Sequence, residues 1–346
     1  MCRGARASGR RRVVRWAPLG LALLALLATV LVATGVGSAD LSLGSVSRGV
    51  WHGLTGQVSG TDDVIVWRIR IPRVILAGMV GGTLAISGVV YQAVFRNPLA
   101  EPYLLGVASG AGFGAALVIA FGAGIPLFMR FGLPIIAFAF GLLTVAAVVL
   151  LARQGGRVPV LSLILAGAVL GSIFTAATSF VMLASRERAS GILAWLLGSF
   201  SLVGWGKVVA ILPLFLLAAA LITLSGRALN LLQLGDEQAA QLGLPVERIK
   251  LLLVTAATLA TAAAVSVSGI IGFIGLMVPH AVRLAFGPDH RALIPLSLIL
   301  GALFMILADL VARTLIAPAE IPIGVITALV GGPFFLYLLR RQRASR

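Results

Sequence analysis

Ten stretches of about twenty mostly apolar residues follow one another along the chain, and they constrain its fold more than any other feature. They lie at 17–36, 74–95, 103–124, 132–152, 159–184, 207–225, 249–268, 271–286, 293–316 and 322–339, with only short polar breaks between most of them. A helix needs about 20 such residues to cross the hydrocarbon core of a bilayer, so each run is long enough for one span or close to it. The backbone polar groups of a spanning segment must be satisfied internally, which selects helix for runs of this kind. The expected fold class is therefore all-α, a polytopic membrane protein with about ten transmembrane helices. Of 346 residues, 60% are hydrophobic and 11% charged, and the mean hydropathy is +1.08. Soluble domains hold about 25% charged residues, so a water-soluble enzyme, a disordered chain and a coiled coil are excluded. The expected organisation is a basic tail at 1–16, one membrane domain at 17–341 and a short tail at 342–346.

The net charge of +16 has two readings. Nucleic-acid binding would need a basic helix or basic and aromatic residues interleaved, and neither is present. Membrane proteins concentrate Lys and Arg in cytoplasmic segments. With both termini inside, about two thirds of the 27 basic residues fall on the cytoplasmic side, so the expected topology is N-in, C-in. The arginine-rich stretch at 3–15, the Arg11-Arg12 pair and Gly37-Ser38-Ala39 suggest a signal peptide, but the apolar run at 17–36 exceeds the usual 7–15-residue core. An uncleaved first helix is expected instead. The single cysteine, Cys2, leaves no internal disulfide to form.

Several motifs read as structure. Gly78 and Gly82, Gly110 and Gly114, and Gly167 and Gly171 put small residues one turn apart, which lets membrane helices approach closely. Asp309 and Arg313, four residues apart near one end of the ninth apolar run, can pair along a helix. The longest polar break between later runs, at 225–250, reads SGRALNLLQLGDEQAAQLGLPVERIK. Asp236 and Glu237 open an Ala/Gln-rich stretch as acids do at a helix N-terminus, and Gly243-Leu244-Pro245 ends it. Two short amphipathic helices here exceed what a simple turn requires, and they make a docking surface for a soluble partner.

No Gly-x-x-x-x-Gly-Lys-Ser/Thr occurs, so the chain does not cradle nucleotide phosphates itself. His52, His280 and His290 lie far apart, no Cys/His/carboxylate cluster has metal-ligand spacing, and no nucleophile–base pair is evident. An enzyme active site, a metal and a cofactor are not expected. The scarcity of carboxylates within the spans argues against an ion-coupled secondary transporter, which relies on titratable relays.

From Arg70-Ile-Pro-Arg73 onward the chain resembles the FecCD-type permeases of ABC importers. The resemblance runs through RIPRVILAGMVGGTLAISGVVYQAVFRNPLAEPYLLGVASGAGFGA (70–115), LNLLQLGDEQAAQLGLPVERIKLLL (229–253), SGIIGFIGLMVPHAVRLAFGPDHRALIPLS (268–297) and ADLVARTLIAPAEIPIGVITALVGGPFFLYLLRR (308–341). Only the N-terminal tail and the 38–64 segment lack a recognisable pattern. The resemblance implies a type II ABC importer permease in the cytoplasmic membrane, a second permease copy forming a homodimer, two ATPase subunits and an extracytoplasmic substrate-binding protein. Lipid surrounds such a protein, and nucleic acid is no partner. The cargo it implies is a ferric siderophore first, then haem or cobalamin.

Residue by residue, Arg70, Arg73 and Arg313 resemble the basic positions that meet acidic residues of the binding protein. Coupling helices are implied at about 229–248, with Gly235, Asp236, Glu237, Gln241 and Gly243 at the ATPase contact. Asn97, Pro98 and Leu99 resemble the inner constriction of the pathway. The fifth run resembles its lining helix, with Val160 and Leu161 at the inner end where some relatives carry hydroxyl residues.

Overall fold

The computed structural model describes residues 7–37, 41–122, 132–154, 159–201 and 203–344. Residues 1–6 and the last two of the C-terminal tail lie outside the described residues, as do Ser38 and Ala39. The chain folds as α1 (Ala7–Gly35), α2 (Leu43–Thr55), α3 (Thr61–Val64), α4 (Ile71–Val94), α5 (Val107–Phe121), α6 (Leu133–Ala152), α7 (Val160–Ala184) and α8 (Ala189–Leu196). There follow α9 (Trp205–Leu224), α10 (Gly226–Leu232), α11 (Asp236–Gln241), α12 (Val246–Ser268), α13 (Ile274–Phe286), α14 (His290–Thr314) and α15 (Ile323–Ala344). A π-helical turn, Ile65–Arg70, joins α3 to α4 without a break.

Among the described residues, seven helices are long and apolar enough to cross a membrane. Three shorter apolar helices, Val107–Phe121, Ile274–Phe286 and Ile323–Tyr337, account for the other apolar runs. The runs that begin at 103 and 271 thus each enter helix a few residues late. In the first case a 3-10 turn, Pro102–Leu105, comes before α5. In the second the backbone from Gly269 to Phe273 is not helical, with φ of 73° at Gly269 and 71° at Phe273. Such backbone is tolerated inside an apolar bundle only if its polar groups find partners. The Tyr103 hydroxyl donates to the Ile271 carbonyl at 2.9 Å and accepts from the Ile271 N–H at 3.3 Å. The Ser199 N–H donates to the Ser268 carbonyl at 2.8 Å.

Two further boundaries differ from the sequence reading. α1 begins at Ala7, inside the segment read as a tail. The 38–64 segment holds a capped helix: the Ser42 hydroxyl accepts from the Ser45 N–H at 3.1 Å, and Gly56 closes α2 in the left-handed region. His52 on α2 and Asp63 on α3 meet at 2.7 Å and tie this hairpin together.

α4 is the centre of the bundle. Within its candidate span 89% of residues are buried, against 11% for α7, whose Leu161, Leu165, Phe180 and Leu183 side chains are exposed. Helices with little apolar advantage over lipid associate by close packing, and α4 does so through glycine. Gly81 meets Gly301 of α14 backbone to backbone, while Gly78 and Gly82 face Ile306 and Leu298 of the same helix. On the opposite side a Cβ at Gly88 would collide with the Gly275 carbonyl of α13. Because that neighbour is backbone, Gly88→Val should cost about 3 kcal/mol or more. Gly272→Ala, with open space around it, should stay within about 0.5 kcal/mol. Unfolding of the purified protein in detergent distinguishes the two.

Candidate transport and coupling sites

Two polar clusters stand at opposite ends of α4 and α14. The first begins where the π-helical turn delivers Arg70 and then, one turn later, Arg73, with Pro72 in the first turn of α4 where its missing N–H is harmless. Arg73 is the hub. Its Nε donates to both carboxylate oxygens of Asp309 at 3.0 Å, and its Nη2 to Asp309 Oδ1 at 2.8 Å. Its Nη1 reaches Glu320 Oε1 at 2.7 Å and its Nη2 Glu320 Oε2 at 3.0 Å. Arg313 Nε lies 3.7 Å from Asp309 Oδ2. The helical pair read from the sequence is therefore present, but Asp309 is held mainly by Arg73.

The other two arginines serve the end of α1. Arg70 Nη1 donates to the Thr34 and Gly35 carbonyls at 3.1 and 2.6 Å, and Arg313 Nη2 donates to the Ala33 carbonyl. The last carbonyls of a helix lack intrahelical partners and carry the negative end of its dipole, so guanidinium groups there satisfy both. Arg70, Arg73 and Arg313 are thus brought together, buried, and engaged inside the chain. Glu320, on the α14–α15 connection, also accepts from the Ser201 hydroxyl at 2.8 Å. Burial alone would raise its carboxyl, but the hydrogen bonds from Arg73 and Ser201 hold it below the ordinary value.

The second cluster gathers the segment between α9 and α12. Two short helices, α10 and α11, occupy the break in which two were expected. Gly235 (φ 115°) and Gly243 (φ 86°) bound α11 in conformations that an L side chain rarely adopts. Asp236 accepts from Arg96, at the end of α4, and from Lys250, on the first turns of α12. Arg96 Nε donates to the Leu232 carbonyl at 3.2 Å, and Gln233 Nε2 to the Ala93 carbonyl at 3.4 Å. On α10, Asn230 Nδ2 donates to Asp289 Oδ1 at 2.8 Å, while its Oδ1 accepts from the His290 N–H at 2.9 Å. Asp289 also caps α14, accepting from the Arg291 N–H at 3.1 Å. Glu237, Gln241, Leu242 and Gly243 stay exposed.

Asn97, Pro98 and Leu99 follow Arg96 directly and are exposed, with Asn97 Oδ1 accepting from the Leu99 N–H at 2.9 Å in a tight turn. Val160 is half-buried and Leu161 exposed at the start of α7. That helix packs through Gly167 on the Leu104 carbonyl, in the 3-10 turn that follows Asn97–Leu99 in the chain. Among the described residues no group of three or more His, Cys, Asp or Glu is placed to hold a metal ion.

Sequence reasoning missed Glu320, Arg96, Lys250, Asn230 and Asp289 as site residues. The available signal for Glu320 was its charge: it is the one acid within IAPAEIPIG, an otherwise uncharged run. Nothing local marked Arg96, Lys250 or Asn230, whose partners lie on other elements, and Asp289 carried only the signal of a helix cap.

The sequence profile of the FecCD transport family matches residues 24–341, and the chain belongs to that family. It is 44% identical over 82% of its length to the cobalamin import system permease protein BtuC of Halobacterium salinarum, covering 75% of that protein. It is 38% identical over 94% of its length to the hemin transport system permease protein HmuU of Yersinia pestis, covering 97% of it. Among solved structures it superposes, with a TM-score of 0.82 and 35% identity, on an ABC transporter described as of metal-chelate type in an inward-facing conformation. That match covers 93% of this chain and 98% of the other. The protein is an integral membrane transport subunit of an ABC importer, not an enzyme.

Proposed function

We propose that the chain is the permease of an ATP-driven importer for an iron chelate, a ferric siderophore first, in the cytoplasmic membrane. It works as a homodimer with two ATPase subunits and an extracytoplasmic binding protein. Both termini and the α10–α11 segment face the cytoplasm, and the arginine cluster faces outward. The observation that carries this reading is the α4–α14 pair. These helices of 24 and 25 residues, each about 36 Å long, are locked by the Gly81–Gly301 contact and joined to a polar cluster at each end.

The geometry supplies a coupling path. The exposed face of α11, with Glu237 and Gln241, and Gly243 just beyond it are open to an ATPase groove. Asp236 links α11 to α4 and α12, and Asn230 links α10 to α14. Closure of the ATPase pair on α11 would move the inner ends of three spans together. Asn97, Pro98 and Leu99, next to Arg96, would move with them as the inner constriction, and Val160 and Leu161 would form its apolar rim. At the outer end Arg73 is the group that receives a carboxylate of the binding protein, with Arg70 and Arg313 completing the basic footprint. A guanidinium fork pairs with a carboxylate at two points, which suits this task.

The chain's few charges along its spans fit a bulky, already chelated cargo selected by the binding protein. Haem or cobalamin is the second reading, favoured by the likeness to HmuU and BtuC. Proteoliposomes holding the permease, its ATPase and its binding protein should take up ferric siderophore only with ATP inside. Preferred uptake of haem or cobalamin would replace the cargo. Uptake driven by an ion gradient without ATP would remove the importer reading.

A further inference from the structure

Arg73 has both edges of its guanidinium filled. Asp309 takes the Nε–Nη2 edge and Glu320 the Nη1–Nη2 edge, each by two-point pairing. The two carboxylates are held very differently. Asp309 sits within α14 with its side chain 1% exposed, whereas Glu320 lies on a connection with its side chain 33% exposed. Among the described residues the edge of Arg73 that Glu320 holds is the more open of the two, and it is there that a carboxylate from outside the bundle would meet it.

We propose that Glu320 is an internal stand-in for the binding protein's carboxylate, occupying the outward edge of Arg73 until docking exchanges one acid for the other. The inference rests on Arg73 being a docking residue and adds the competitor for it. The physical reason lies in the cost of leaving a buried cation with an unfilled fork. Exchange keeps the number of arginine–carboxylate pairs constant through the docking cycle. Arg73 then contributes specificity, and the affinity of docking is lowered by the work of displacing Glu320.

Displacement also carries information into the bundle. Glu320 holds Ser201, next to a turn whose Leu197 and Gly198 carbonyls accept from the Gly324 and Ile323 N–H groups at the start of α15. Releasing Glu320 removes the side-chain tie of the connection that joins α14 to α15, leaving it held by backbone, with the Ile321 N–H on the Ala312 carbonyl at 2.9 Å.

The test measures binding of the importer's own binding protein to the full permease–ATPase complex in nanodiscs, by interferometry. Glu320→Gln should tighten docking about tenfold, since the amide competes without charge. Ser201→Ala, which loosens Glu320 and keeps its charge, should tighten it about twofold to threefold. Arg73→Gln should weaken docking by more than about tenfold. If Glu320→Gln and Ser201→Ala both bind as wild type while Arg73→Gln weakens, exchange is overturned and docking at Arg73 stands. If Arg73→Gln also binds as wild type, the docking reading falls with it. Weaker docking in Glu320→Gln would make Glu320 part of the bound surface and overturn the stand-in role. Should Glu320→Gln fail to fold, Ser201→Ala decides alone: tightening supports exchange, and unchanged or weaker binding refutes it.

Discussion

Asp309→Ala should lower the stability of the protein by about 3–5 kcal/mol, the usual cost of removing one partner from a buried ion pair. Its carboxylate accepts three hydrogen bonds from Arg73 and lies within 4 Å of Arg313, in a site closed to solvent. Without it the Nε–Nη2 edge of Arg73 loses its acceptor, and Arg313 loses the carboxylate 3.7 Å from its Nε. Asp309→Asn keeps the shape and one acceptor oxygen, so its loss should be smaller, about 1–3 kcal/mol. The informative control is Arg73→Met with Asp309→Leu. Removing both buried charges together should restore a large part of what Asp309→Ala loses. Denaturant unfolding in detergent micelles, followed by tryptophan fluorescence, measures all three. A double variant no more stable than Asp309→Ala would show that the arginines need Asp309 for more than charge balance.

Asp236→Ala should lower uptake per ATP hydrolysed by at least about tenfold while leaving the fold in place. Asp236 itself is about half exposed in both pairs, and pairs open to solvent are worth about 0–1 kcal/mol, so unfolding is not the expected cause. The effect is mechanical. Asp236 is the side chain that joins α11 to both α4, through Arg96, and α12, through Lys250. Without it, movement of α11 reaches the spans through the backbone and through the neighbouring contacts of Asn230, Leu232 and Gln233. Asp236→Asn should be milder than Ala because it still accepts one hydrogen bond. Proteoliposomes containing the ATPase and the binding protein give uptake and hydrolysis in the same preparation. Hydrolysis and uptake falling in proportion would place Asp236 in ATPase attachment, and both staying at wild-type levels would remove Asp236 from the coupling path.

Much of the site was legible before any coordinates. The break at 225–250 announced two short helices because its acids, glycines and proline are local signals, and α10 and α11 lie there. The arginines at 70, 73 and 313 stood out through the resemblance to FecCD-type permeases. Their partners did not stand out. Arg73 meets Asp309 across 236 positions of sequence and Glu320 across 247, distances over which no periodicity carries information. The sequence suggested that Asp309 pairs with Arg313 four residues on, since helical neighbours are the only contacts a pattern can show. The structure gives Asp309 chiefly to Arg73. The irregular backbone at 269–273 was hidden for the opposite reason: an apolar run reads as continuous helix until Tyr103, from another element, supplies the hydrogen bonds that let it break.

The amino-acid sequence by itself determined that this is a helical membrane protein of the FecCD kind, where its apolar segments lie and where the short helices between two of them should form. Those are properties of run length, composition and short-range motif, and each segment carries them alone. Only the tertiary structure decided that α4 and α14 form one glycine-locked pair with a charge cluster at each end, and that Arg73 is already occupied. Which acid satisfies a buried arginine depends on which helices touch, and the touching is set by packing of the whole bundle.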